Sequence, residues 1–271
     1  MVVMAAINSL FDFIFSLLAL MPLRLSLVIS AIIFGIILVP IYGKVSPQAT
    51  IARAKKRIFA ALFESVLFRR DTGLSLVAQA KMFLNGLVYF LVAIPPILIL
   101  SIPCILVLAQ FNLFYGVRGI VPGQPVIISA TLAPSANIRE TTLQSTSDLE
   151  LTSPVRDPGA HELTWRALLP LGQSDKQTVP LSLQSGAQRV DFELAVGDGK
   201  GKVYPSNSQS LLTQMLYPSG IRNPEWLYDF EIRYPERSFT YGPISTSWFV
   251  LFLVVSIVSG YLASKMFGIE V

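Results

Sequence analysis

Apolar positions in this chain gather into three long runs, residues 25–42, 82–109 and 248–262, separated by stretches of shorter period. Each run approaches or exceeds the roughly 18–20 residues that cross a hydrocarbon core as a helix. The pattern predicts three transmembrane helices, over residues 23–43, 82–110 and 248–264. Pro95, Pro96 and Pro103 predict a kink or break in the second, since proline removes a backbone donor. Between the first two runs, Ile51, Ile58, Leu62 and Val66 recur at helical spacing, predicting one apolar stripe opposite a basic face. Arg70-Asp71-Thr72-Gly73 supplies a turn in which Asp71 or Thr72 caps a further helix. From Leu74 through Val77, Lys81 and Asn85 that helix runs into the second apolar stretch without a breaker. Residues 44–81 therefore read as a helical hairpin, a short antiparallel coiled coil.

Beyond residue 111 the period changes to two. Alternation and strand propensity mark residues 126–132, 149–152, 161–167, 178–183, 189–196 and 202–204, with turn signals at roughly ten-residue intervals. Residues 111–204 predict an all-β sandwich resembling an immunoglobulin-like domain. Residues 205–247 read as a separate extension, with a short helix near 208–216 and a last strand over 226–234. The first 22 residues are apolar but carry Asn8, Ser9, Asp12 and Ser16, and they end at Pro22. A reversal within Pro22-Leu23-Arg24 is very tight for a fourth span, so a helix lying in the outer interface is favoured over one. No Lys or Arg precedes Arg24, so the basic start of a secretory signal is missing.

Charge then orients these elements. Only 14% of residues are charged and 52% are hydrophobic, where a soluble domain carries about 25% charged residues. Lys44, Arg53, Lys55, Lys56, Arg57, Arg69, Arg70 and Lys81 share one loop with only Glu64 and Asp71 against them. That asymmetry predicts a cytoplasmic hairpin, with the N-terminus and residues 111–247 outside and the tail 265–271 inside. The expected setting is an inner, cytoplasmic membrane crossed several times, with Trp226 and Trp248 near its outer interface. Arg53, Lys55, Lys56, Arg57, Arg69 and Arg70 are the candidate cytoplasmic contacts, for anionic lipid or for a protein. No aromatic residues interleave with the charge in a base-reading motif, so nucleic acid is not an expected partner.

Candidate chemistry is sparse. His161 stands beside Glu162 on a predicted strand, where neighbours point to opposite faces. Cys/His metal spacing and a phosphate-cradling loop are both missing, and Gly197-Asp198-Gly199-Lys200-Gly201-Lys202 reads as a hairpin turn. Cys104 is alone within an apolar run, which excludes an internal disulfide and suggests an inert hydrophobe. No acidic cluster occupies the apolar runs, which disfavours an ion-coupled transporter. The sequence predicts a chain that is not an enzyme and needs no cofactor and no metal.

Two resemblances enter at this point. Lys55, Phe68-Arg69-Arg70-Asp71, Ala78-Gln79-Ala80-Lys81, Ile94-Pro95-Pro96 and Gln110-Phe111-Asn112-Leu113-Phe114-Tyr115-Gly116 are similar to segments of uncharacterised bacterial inner-membrane proteins. So are Pro122-Gly123-Gln124, Tyr234-Pro235 and Trp248-Phe249-Val250-Leu251-Phe252; this likeness covers most of the chain and implies no activity. The topology resembles the three-span form of the YidC/Oxa insertase superfamily, whose relatives include subunit three of the endoplasmic-reticulum membrane protein complex and archaeal counterparts. That resemblance implies a polar groove, open to cytoplasm and lipid, that eases the passage of short hydrophilic tails. Gln79, Lys81, Asn85 and Tyr89 are the positions that would line it. The outer β region and the lack of an arginine within a span depart from that family.

Two functions follow. One is a non-enzymatic membrane-protein insertase or assembly factor, with the hairpin receiving its client. The other is an accessory subunit of a hetero-oligomeric membrane complex, docking other membrane proteins through its outer β domain, with Tyr217, Trp226 and Tyr234 as candidate contacts. A ligand-sensing receptor ranks last, because no output module beyond the hairpin accompanies the outer domain.

Overall fold

The computed structural model describes residues 2–145, 149–171, 177–219, 221, 223–241 and 243–270. Its helices are α1 (Val2–Leu18), α2 (Leu23–Val45), α3 (Gln48–Leu67), α4 (Thr72–Phe111), α5 (Leu211–Leu216) and α6 (Trp248–Phe267). Three of them, α2, α4 and α6, are long and apolar enough to cross a membrane. The remainder is built largely from antiparallel β-sheets that do not close into a barrel. The chain divides into two compact units: a helical one, Val28–Ile105 with Leu251–Val271, and a β-rich one, Met1–Leu27 with Leu106–Val250.

Small residues set the packing of the helical unit. A Cβ on Gly35 of α2 would stand 2.2 Å from the Ser259 hydroxyl oxygen and 2.4 Å from the Ser256 carbonyl oxygen of α6. Such backbone approach is the packing apolar helices use when water supplies no drive to associate. Phe34 and Phe252 meet beside it, with ring centroids 5.2 Å apart. Asp71 caps α4, accepting from the Leu74 N–H at 3.0 Å. Helix α4 runs unbroken through Pro95, Pro96 and Pro103. In an apolar medium, leaving the helix strands more backbone groups than one missing donor does. Its 40 residues span about 60 Å at 1.5 Å each, twice a hydrocarbon core of about 30 Å.

The stripe expected on α3 is only partly the buried one. Ile51, Ala54 and Ala61 are buried, Ile58 is half-buried, and Leu62 and Val66 face outward. The covered seam steps by three and four residues through alanines, which allow a close neighbour, so the larger side chains are turned away. On α4 the covered positions Ser75, Ala78, Met82, Asn85 and Tyr89 follow the same rhythm, as two helices sharing a seam require.

The β-rich unit contains β1 (Pro125–Leu132), β2 (Thr141–Ser145), β3 (Glu150–Leu151), β4 (Val155–Asp157), β5 (Glu162–Leu168), β6 (Thr178–Ser185), β7 (Gln188–Ala195), β8 (Ser206–Ser208), β9 (Leu227–Ile232), β10 (Ser238–Tyr241) and β11 (Ile244–Ser247). One sheet has the order β3-β5-β1-β9-β8 with β4 also on β5; a second is β2-β6-β7; β10 and β11 form a hairpin before α6. Alternate residues from the two larger sheets share one core that includes Ile128, Leu163, Trp165, Leu181, Leu194 and Phe230. Phe192 of β7 stacks on Phe230 of β9 at 3.9 Å.

Several expectations need correction. Residues 205–247 are not a separate extension, because β8 and β9 belong to the first sheet, and Ile128 of β1 pairs with Ile232 of β9. The alternating burial of β9 requires a sheet to join, and β1 offers a free side. Lys202-Val203-Tyr204 is not a strand, since the Val203 N–H bonds to the Leu113 carbonyl instead. His161 lies in the turn before β5 with φ 51°, its carbonyl accepting from the Leu132 N–H, so the strand-face argument does not apply to it. Strands β2, β4, β10 and β11 carry too little apolar alternation to mark them in the sequence.

Candidate functional site

The candidate groove residues lie on α4, and the structure gathers only some of them. Lys81 forms an ion pair with Glu64 of α3 at 2.9 Å. The Asn85 amide donates to the Lys81 carbonyl at 2.7 Å. Tyr89 lies under the Lys55 ammonium, 6.0 Å from its ring centre. Gln79 is exposed, and its amide donates back to the Ser75 hydroxyl at 3.4 Å. Lys81 and Asn85 thus find their partners within the hairpin.

The basic candidates divide similarly. Lys55 is tied to Glu270 at 3.1 Å, while the Glu270 N–H donates to the Gln48 side-chain oxygen at 2.8 Å. Arg53 bonds along its own helix to the Ala49 carbonyl. Lys56, Arg57, Arg69 and Arg70 are exposed.

Of the outer candidates, two are core residues. Trp226 and Tyr234 are buried in the β core, and the Tyr234 hydroxyl accepts from the Ala195 N–H at 3.0 Å. Burial holds that phenol well above its ordinary pKa. Both rings pack into the core and leave little surface to display. Tyr217 caps the end of α5 and is partly exposed. Trp248, expected at the interface, is buried, its indole nitrogen 2.9 Å from where a Cβ on Gly116 would sit.

Two cations, Lys202 and Arg237, have buried side chains. The Lys202 ammonium pairs with Asp12 at 2.7 Å and donates to Asn8 at 2.9 Å and Gln110 at 2.8 Å, lying over the Phe15 ring. Burial lowers its pKa, and the Asp12 carboxylate opposes that shift. Lys200 donates to the carbonyls of Ala19 and Met21, at 3.1 Å each, satisfying acceptors just beyond the end of α1. Arg237 pairs with Asp198 at 3.0 Å and donates to the carbonyls of Phe114 and Gly199. The glycine-rich loop is therefore a clasp that holds α1 and residues 112–116, rather than a plain hairpin turn. The only sequence signal was lysines spaced among glycines.

Within the β-rich unit, β7 presents an open strand edge. The Val196 N–H bonds to the Gln177 carbonyl on the β6 side, so by register the even residues of β7 face β6 and the odd ones face away. At one end the outward groups are occupied: the Ala195 N–H by Tyr234 and its carbonyl by the Ile120 N–H. Those of Arg189, Asp191 and Glu193 have no partner among the described residues. Beside this edge is a cleft of about 700 Å³ lined by residues including Pro180, Ser182, Glu193, Tyr204 and Ile221. The β8 edge is instead covered, with the Asn223 amide donating to the Asn207 carbonyl at 2.8 Å and Ser219 bonding the Asn207 side chain at 2.9 Å.

Set against known proteins, the chain matches no family model, no curated protein and no solved structure.

Proposed function

We propose that this chain is a non-catalytic subunit of a larger membrane complex, held by its three apolar helices and docking a partner's extended segment along β7. The observation that carries this reading is the outward backbone of Arg189, Asp191 and Glu193, unpaired beside a cleft on an eight-residue strand. Such an edge is a template for strand addition, in which main-chain bonds give affinity and neighbouring pockets give selectivity. The sheet orders support an immunoglobulin-like sandwich: β3-β5-β1-β9 corresponds to strands D-E-B-A and β2-β6-β7 to C-F-G. In that correspondence β9 takes the place of the first strand, and β7 is the G edge. The excess of Lys and Arg in residues 44–81 supports a cytoplasmic hairpin and an outer β unit.

Gentle affinity purification with partner quantification tests this, comparing the natural chain with Asp191→Pro. Because the Asp191 N–H faces away from β6, proline there removes no ladder bond. The expected result is a fixed partner set at near-equal amounts, lost in the variant while its thermal unfolding is unchanged. A diffuse, substoichiometric set of membrane proteins with ribosomal components overturns it and favours the insertase reading, which the basic, apolar-faced hairpin supports.

A further inference from the structure

The α3–α4 hairpin displays an apolar surface that no described residue covers. Phe63 is 70% exposed and Phe83 is 71% exposed, with Phe59, Val66 and Leu76 also outward. Helical spacing and the Glu64–Lys81 pair fix which side each residue takes. With the seams of both helices facing each other, Phe59, Phe63 and Val66 fall on one side of the pair, together with Leu76 and Phe83. Arg53, Arg57, Glu64 and Lys81 fall on the other, together with the exposed aliphatic residues Leu74, Val77 and Leu84. Exposed aromatic residues are therefore gathered on one side of the pair, while the other side mixes charged with aliphatic residues.

We infer that this hairpin is immersed in the adjoining leaflet of an anionic bilayer, with the Phe59–Phe63–Phe83 side among acyl chains and its arginines on headgroups. Two observations select lipid as the occupant. The apolar side is continuous with the exposed Leu87, Phe90 and Leu91 of α4, within the stretch long enough to span the membrane. The flanking charge is overwhelmingly basic, with Arg53, Lys56, Arg57, Arg69 and Arg70 exposed around it, which complements anionic headgroups. The inference rests on the membrane-spanning reading of α4 and not on partner docking at β7, so each can fail without the other.

The test uses the full chain in vesicles, with Cys104→Ala as background and an environment-sensitive dye on either Phe63→Cys or Arg53→Cys. In vesicles containing phosphatidylglycerol, the dye at position 63 should be quenched by brominated acyl chains and shielded from iodide, and the dye at 53 should show the reverse. Replacing Arg69 and Arg70 by glutamine should shift position 63 toward iodide access, roughly five-fold for each charge removed. Iodide quenching at 63 in both anionic and neutral vesicles overturns the inference. Shielding at 63 from both quenchers also overturns it, because it places a second copy of the chain on that surface.

Discussion

The two units of this molecule use the same residue types in opposite ways. In the β unit a large aromatic residue is hidden: Trp165 is 2% exposed, among leucines and valines from two sheets. In the helical unit Phe83 is 71% exposed, and the closest approach of α2 to α6 is at Gly35, Ser256, Ser259 and Gly260. Water drives the first arrangement by expelling apolar surface. Where the surroundings are themselves apolar, close van der Waals approach remains, and small side chains permit it. Burial alone therefore says little about a residue's importance here until the medium around it is specified.

Aromatic truncation gives the sharpest contrast. Trp165→Ala should cost about 3–5 kcal/mol, whereas Phe83→Ala should stay within about 0.5 kcal/mol. Thermal unfolding in detergent, followed by circular dichroism, reads both. An equally damaging Phe83→Ala would mean that its face packs on protein. The reverse contrast comes from enlarging a small residue. Gly35→Ala places a methyl 2.4 Å from the Ser256 carbonyl oxygen, which should cost about 1–3 kcal/mol. The same change at Gly86, with nothing within 4 Å, should leave the melting point level or slightly raised.

The smallest expected effect concerns pH. Half-burial raises the Asp229 pKa above the usual carboxylate range, offset by bonds from Ser206 and the Phe230 N–H. An acid with a raised folded pKa holds its proton better folded than unfolded. Its stabilising contribution therefore grows as pH falls through the folded pKa toward the unfolded one and is lost as pH rises. Asp229→Asn should remove that dependence and add roughly a few tenths of a kcal/mol at neutral pH, a figure discounted for partial exposure. Unfolding curves at pH 7 and in the mildly acidic range compare the two proteins.

Local pattern carried much of the fold. Apolar length marked α2, α4 and α6, and alternation marked β1, β5, β6, β7 and β9, because those periods are properties of neighbouring residues. Strand β2, with Thr141 and Leu143 as its buried positions, offered too short an alternation to recognise. The candidate site was read less well. Lys81 and Asn85, expected to line a groove, bond to Glu64 and to the Lys81 carbonyl, and Glu64 as the partner of Lys81 comes from another helix. Trp226 and Tyr234 lie in the core, and an aromatic side chain has the same sequence signature in a core and on a surface.

The chain's own order of residues determines where helices and strands form, and which loop carries the basic charge. Periodicity and composition act over a few residues and need no distant partner. Only the tertiary structure decided that β9 lies beside β1 about a hundred residues earlier, that Lys202 closes on Asp12, and that α3 buries alanines in place of Leu62 and Val66. These are choices among distant surfaces of similar chemistry, and shape complementarity and backbone hydrogen bonding settle them once the elements meet.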